Sequence, residues 1–157
     1  MVAAMNGEAE AVAKLLEYNA NVNLTDMHGA SALYEAARNG HEAIVDTLIR
    51  HGAQLSMDEG FAASTLCQAV YNGDNPLLKR LLHAQIPIDA ADYDKRTASM
   101  IAAVEGNVAA LKVLVEAGAD LSLKDRWGGT VRSEAENANA GQVLKYLDSL
   151  KDAKDAE

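Results

Sequence analysis

Apolar residues recur along this chain in short clusters with helical spacing, and the clusters come in pairs. One cluster spans 31–37 and the next spans 43–51, with the dipeptide Gly40-His41 between them. Ser31 stands where an N-cap residue precedes a helix. This pattern predicts two short amphipathic helices joined by a tight turn.

The same pair of clusters returns at an interval of 33 residues. The turn glycine Gly40 has counterparts at Gly7, Gly73 and Gly106. A repeated helix–turn–helix unit of this length indicates an array in which neighbouring units share one core. We therefore divide residues 1–150, one domain, into a partial repeat 1–25 and repeats 26–57, 58–91, 92–124 and 125–150. Residues 151–157 form a polar tail, predicted to be a frayed helix or disordered.

The whole chain resembles the ankyrin-repeat family. Residues 92–130 are most similar to the C-terminal ankyrin segment of kidney-type glutaminases, and ankyrin tails of animal-type asparaginase/lysophospholipases and plant potassium channels look similar too. The shared features are Asp-Tyr-Asp-x-Arg-Thr-Ala at 92–98, Ala-Ala-x-Glu-Gly at 102–106 and Lys-Asp-Arg-Trp at 124–127. The resemblance implies an all-α fold, an ankyrin-repeat solenoid of helix-turn-helix units joined by finger loops. We call the loop that precedes the first helix of a unit its finger.

The sequence departs from the family pattern at positions that affect stability. The family's Thr-Pro-Leu-His motif is degraded in every unit, and Ser99 and Arg132 occupy its buried Leu position. Loss of a core Leu typically costs about 2–5 kcal/mol. Lys95 stands where the finger needs a positive φ, which is unfavourable for a residue with a Cβ. We therefore expect marginal stability in the C-terminal half of the chain.

Composition narrows the classes of partner. The formal net charge is −9 with no basic block, so nucleic acid and anionic membrane surfaces are not expected partners. No apolar run is long enough for membrane insertion, and residues 1–4 lack the features of a signal peptide. The one cysteine cannot form an internal disulfide. These features predict a cytoplasmic location.

Motifs for catalysis, cofactors and metals are not found. The four histidines form no i, i+4 pair, and His41 fills the turn position of its unit. Cys67 is predicted to be a small buried apolar residue rather than a nucleophile. We therefore predict no catalytic, cofactor-binding or metal site, no enzyme activity and no small-molecule ligand.

A set of polar and aromatic residues gives the candidate binding surface. The resemblance implies binding through finger tips and the inward face of the first helices, and aromatic and Arg residues are common interface anchors. Phe61, Tyr93 and Trp127 are predicted to form an exposed row across successive fingers. The alternative is that Tyr93 and Trp127 only pack against neighbouring fingers. The candidate partner-binding residues are Met27, His28, Arg38, Phe61, Tyr71, Tyr93, Asp94, Arg96, Glu105, Arg126 and Trp127.

Two functions remain open. The first is a protein–protein interaction module that binds another protein on its concave finger and first-helix face without catalysis. The second is a regulatory or assembly tail that acts in cis on an amidohydrolase, of the glutaminase or asparaginase type, or on an ion channel. The incomplete first repeat favours a chain cut from a longer protein, and it predicts that Val2, Ala3 and Met5 lack cover.

Overall fold

The computed structural model describes residues 1–155 and confirms the all-α prediction. Extended pairing within these residues is limited to two isolated bridges, Thr25–Ser31 and Ala91–Thr97. Each bridge closes the base of a finger. The ten helices of the described residues are α1 (Val2–Met5), α2 (Ala9–Glu17), α3 (Ala32–Asn39), α4 (Glu42–Arg50), α5 (Glu59–Tyr71), α6 (Asn75–His83), α7 (Ala98–Val104), α8 (Val108–Glu116), α9 (Val131–Asn137) and α10 (Gly141–Asp155).

The chain divides into two compact units, with one boundary between them inside α6. The first unit contains Met1–Asp58 and Lys79–Ile86, and the second contains Glu59–Leu78 and the chain from Pro87 onward. In the first unit the fully buried side chains include Leu33, Ile44, Val45 and Leu48. In the second they include Leu66, Met100, Leu111, Leu114, Val131 and Val143. Short helices meet closely because the repeated spacing places alanines such as Ala36 and Ala102, both 0% exposed, in the core.

The turns between helices confirm the predicted register. Gly40 follows α3 with φ +83°, and the side chain of Ser31 caps the same helix by accepting from the Tyr34 N–H at 3.2 Å. His41 Nε2 donates to the Met5 carbonyl at 2.9 Å, so this histidine has the structural role predicted for it. Asn19 follows α2 at the position that Gly52 and Gly118 fill in later repeats, and like them it has a positive φ, +57°. Such residues satisfy the last carbonyls of a helix while reversing the chain.

Three fingers share one hydrogen-bonded turn that is built around an aspartate. Asp26, Asp92 and Asp125 each accept backbone N–H groups from the residues two and four positions later, at 2.7–3.0 Å. The turn also requires a positive φ at the third position after the aspartate. Gly128 meets this requirement with φ +84°, and Lys95 adopts φ +59° despite its side chain, as predicted.

The repeat that begins at Asp58 has no such finger, and the prediction that Phe61 lies at a finger tip is therefore corrected. Glu59 stands at the aspartate position and Ala62 at the positive-φ position. A longer carboxylate cannot fold back in the same way, and alanine disfavours a positive φ. The segment therefore forms an extra helical turn, and α5 starts at Glu59 and runs for 13 residues. Phe61 lies half-buried in this turn, so the predicted row of three finger aromatics is wrong.

Several predictions about burial have mixed outcomes. The helical spacing of Val12, Leu15 and Leu16 predicts one buried face for α2, but Leu15 is 51% exposed. Cys67 is partly exposed rather than buried. Val2 and Met5 are 68% and 43% exposed, as expected for a flank without cover. The end of the predicted polar tail, residues 156–157, lies outside the described residues, whereas 151–155 continue α10.

Two predicted defects of the second unit are visible in its core. Ser99 is 1% exposed and occupies the position that Leu33 and Leu66 fill elsewhere, and its hydroxyl has no hydrogen-bond partner. A buried hydroxyl without a partner lowers stability because its hydration is lost without replacement. Arg132, at the next equivalent position, is only half-buried and pairs with Asp148 at 2.7 Å. The arginine therefore keeps its charge compensated at the rim of the core.

Candidate functional site

The candidate residues of the first unit lie around its finger tip. Met27 is 91% exposed, and His28 is also exposed beside it. The N–H of Ala30 and then that of His28 hold the pKa of Asp26 below its usual value, because they stabilise the ionised carboxylate. Arg38 is exposed near the end of α3. This unit therefore presents a thioether, an imidazole and a guanidinium, of which the first two share one rigid turn.

In the second unit, Arg126 joins two neighbouring fingers, those that begin at Asp92 and Asp125. Its backbone N–H donates to the Asp94 carbonyl at 2.9 Å, and its guanidinium donates to the Tyr93 carbonyl at 3.0 Å. The guanidinium also lies 4.4 Å from the centroid of the Tyr93 ring and pairs with the Asp94 carboxylate at 3.2 Å. Cation–π and charged contacts together hold the two tips in one arrangement.

Tyr93 and Trp127 remain open to solvent in spite of these contacts. Tyr93 is 86% exposed, because Arg126 covers only one face of its ring, and Trp127 is 71% exposed. Packing of Tyr93 on the neighbouring finger, the alternative raised by its sequence, is thus present, but it leaves the ring accessible. Both rings therefore leave apolar surface available on the two joined fingers.

Arg96 lies at the base of the same finger as Tyr93. Its Nε and NH2 atoms both lie 3.2 Å from Asp92 Oδ2, while Asp92 Oδ1 accepts the backbone N–H of the arginine at 2.8 Å. The Arg96 side chain is 41% exposed, so this pair contributes little to stability on its own. Its main effect is to fix the direction of the guanidinium.

A groove of about 440 Å³ lies beside this finger, within the second unit. Tyr71, at the end of α5, is 67% exposed at its edge. The groove was not predicted from the sequence, although Glu59 and Ala62 signalled the loss of a finger at the start of α5. Its lining residues are Gly60, Ser64, Cys67, Gln68, Tyr71, Asp92, Tyr93, Arg96 and Ile101.

Cys67 contributes a thiol to the lining of the groove. Burial, together with the negative charge of Asp92, raises the pKa of Cys67 to about 11. The thiol is therefore protonated at neutral pH and is a poor nucleophile. Two candidates lie apart from the lining residues: Glu105 is exposed at the end of α7, and Phe61 lies in the first turn of α5.

Among the side chains of residues 1–152, no group of three or more His, Cys, Asp or Glu is arranged to hold a metal ion. No helix in this part of the chain is both long and apolar enough to cross a bilayer.

The repeated turns and the helix pairs agree with comparison to known families. A family model described as ankyrin repeats, in three copies, matches residues 1–59 and 55–125. The match covers well over half of the chain, which therefore belongs to the ankyrin-repeat family.

Individual relatives are similar over about half of the chain. One is the potassium channel GORK of Arabidopsis thaliana, 42% identical over 76 residues, which are 48% of this chain and 9% of the channel. A second is the mitochondrial liver isoform of glutaminase from Rattus norvegicus, 36% identical over 77 residues, which are 48% of this chain and 13% of the glutaminase. A third is the Arabidopsis thaliana serine/threonine-protein kinase VIK, 39% identical over 62 residues, which are 40% of this chain and 14% of the kinase. The resemblance to glutaminase and plant potassium-channel segments is thus confirmed, and the chain spans only about a tenth of these proteins.

Proposed function

We propose that this chain is a non-catalytic protein–protein interaction module. The observation behind the proposal is that Tyr71, Tyr93 and Trp127 are all strongly exposed around one groove and finger pair of the second unit. We call Tyr71, Tyr93, Arg96, Arg126 and Trp127 the finger surface. Binding here would need no chemistry, in keeping with the protonated thiol of Cys67. A cytoplasmic location is part of the same proposal.

The finger surface has the physical properties of an interface anchor. Aromatic side chains bury a large area on binding while losing few rotatable degrees of freedom. Arg126 holds Tyr93 in place before any partner arrives, so little ordering entropy is lost when the complex forms. Of the remaining candidates, Asp94 supports Arg126, while Met27, His28, Arg38, Phe61 and Glu105 are proposed only as further contacts.

Affinity capture from a lysate of the source organism tests this function. The immobilised wild-type chain is compared with Trp127→Ala and Tyr71→Ala, and captured proteins are identified by mass spectrometry. A specific partner should be retained by the wild type and weakened at least about tenfold, or roughly 1.4 kcal/mol, in either variant.

Tyr18→Ala is the matched control, because Tyr18 is 78% exposed on the first unit and is not a candidate. Circular dichroism must show that every variant keeps its helix content. Partners retained equally by all four chains, or lost equally in the control, would contradict the proposal.

A second candidate function is a regulatory or assembly segment that acts in cis. It is supported by the similarity to short stretches of a potassium channel and a glutaminase, each much longer than the matched region. The gene sequence upstream of the codon for Met1 decides between the two. An uninterrupted reading frame encoding a channel or amidohydrolase domain is expected under this function, and an in-frame stop without such a domain would eliminate it.

A further inference from the structure

The two joined fingers of the second unit expose positive charge. Residues 92–96 and 124–127 contain four cations and three carboxylates. Lys95, Lys124 and Arg126 are exposed, whereas Asp92 and Asp94 are half-buried and Asp125 is only 8% exposed. The charge that reaches solvent from this strip is therefore mainly positive.

Each carboxylate of the strip already has partners. Asp125 accepts the N–H groups of Trp127 and Gly129. Asp94 pairs with Arg126, and Asp92 pairs with Arg96. These contacts use the oxygens that would otherwise attract a basic partner or repel an acidic one.

Lys95 and Lys124 differ from the two arginines of the strip. Neither lysine forms an ion pair within the described part of the chain. Both lie within two residues of the hydrogen bond between Arg126 N–H and the Asp94 carbonyl, which joins the fingers. Two cations without an ion pair thus lie within three residues, in sequence, of Tyr93 and Trp127, whose rings are exposed.

This arrangement is specific to the second unit. The finger of the first unit has the same aspartate-based turn, but no Lys or Arg occurs between Lys14 and Arg38. The chain as a whole has a formal net charge of −9. The strip, with four cations against three carboxylates, thus differs in sign from the chain as a whole.

We propose that this strip recognises an acidic peptide segment in which Asp or Glu alternates with apolar side chains. The proposal rests on the protein-binding function above and specifies its partner. Tyr93 and Trp127 would contact the apolar side chains, while Lys95 and Lys124 would pair with the carboxylates. Repulsion by carboxylates elsewhere on the chain falls off with distance, because charges more than about 8 Å apart are largely screened at physiological ionic strength.

Fluorescence of Trp127, the only tryptophan of the chain, gives a direct test. The full chain is titrated with a synthetic peptide in which Glu alternates with Leu, and in parallel with a Lys-Leu peptide of equal length. The Glu-Leu peptide should shift the emission to shorter wavelength in a saturable manner, with weaker binding at high salt. The Lys-Leu peptide should give no saturable shift.

Charge-reversal variants locate the contact. The double variant Lys95→Glu, Lys124→Glu should weaken binding of the Glu-Leu peptide at least about tenfold. The matched control is Lys14→Glu, Lys79→Glu, which makes the same change in net charge at exposed sites of the first unit and should bind like the wild type. Circular dichroism checks that both variants stay folded.

Three outcomes would overturn the inference. They are no response of Trp127 to the Glu-Leu peptide, an equal response to the Lys-Leu peptide, and equally tight binding of a single-stranded oligonucleotide, which would mark a general polyanion site. None of these overturns the proposed function, because the capture experiment reads partner retention whatever the charge of the partner.

Discussion

One backbone position occurs in four repeats, and mutations there are predicted to change the free energy of unfolding in opposite directions. The position is the third after the finger aspartate, where Gly29, Lys95 and Gly128 have φ of +80°, +59° and +84°. In the repeat without a finger, Ala62 occupies the equivalent position and lies fully buried inside α5. Introducing glycine should therefore stabilise the protein at Lys95 and destabilise it at Ala62, and removing glycine should destabilise it at Gly29 and Gly128.

The magnitudes follow from strain and chain entropy. A left-handed residue with a Cβ costs roughly 1–2 kcal/mol. Glycine raises the entropy of the unfolded chain, which offsets about 0.4–1 kcal/mol of that gain. Lys95→Gly should thus stabilise the protein by about 0.5–1 kcal/mol. Gly128→Ala and Gly29→Ala should destabilise it by a similar amount, because a Cβ at either position meets nothing within 4 Å and only strain remains.

Ala62→Gly serves as the control for the helical site. It removes a buried methyl group, worth about 0.8 kcal/mol, and weakens the helix by about 1 kcal/mol, so a loss near 2 kcal/mol is expected. Urea unfolding followed by far-ultraviolet circular dichroism measures all four variants. A destabilised Lys95→Gly, or an unchanged Gly128→Ala, would refute the assignment of strain to this position.

Three further predictions concern the second unit. Ser99→Ala should raise the free energy of unfolding by about 1 kcal/mol, because it removes a buried hydroxyl that has no partner; a loss of similar size in urea unfolding would show that the hydroxyl is bonded. Cys67 should react with iodoacetamide about a hundredfold more slowly than an ordinary thiol at pH 8, since its pKa is about 11 and the thiolate is scarce there; reaction at the rate of glutathione would contradict this. Amide hydrogens of α7 and α9 should exchange faster than those of α4, because weak repeats open first; mass spectrometry after deuterium exchange would count against this if α7 were the better protected.

The helix pairs and turns were predictable because each depends on a short pattern. Ser31, Gly40 and Asn19 have the cap and turn functions that their residue types favour. Gln85 also ends a helix, with φ +63°, but glutamine gives no signal for a left-handed residue, and this turn was missed. Leu15 has the right spacing for a buried face but no neighbour to cover it.

The candidate surface was less predictable because it depends on contacts between the fingers of successive repeats. The exposure of Tyr93 and Trp127 agreed with expectation, whereas the position of Phe61 did not. The finger is lost where Glu59 replaces the aspartate and Ala62 replaces the glycine. These two substitutions are small changes within a repeat of 33 residues. The role of Arg126 in joining two fingers requires the distance between them, which no single repeat contains.

The aspartate-based turn has a consequence for engineering. The bonds of the Asp92 side chain stay within residues 92–96, and the equivalent turn at Asp125 has the same local closure. The side-chain bonds that close the turn therefore do not involve the helices that follow. Residues 59–63 have the same length as residues 92–96, so replacing them with Asp-Tyr-Asp-Gly-Arg would need no insertion. Repeats with and without a finger thus differ by substitutions within five residues and not by chain length.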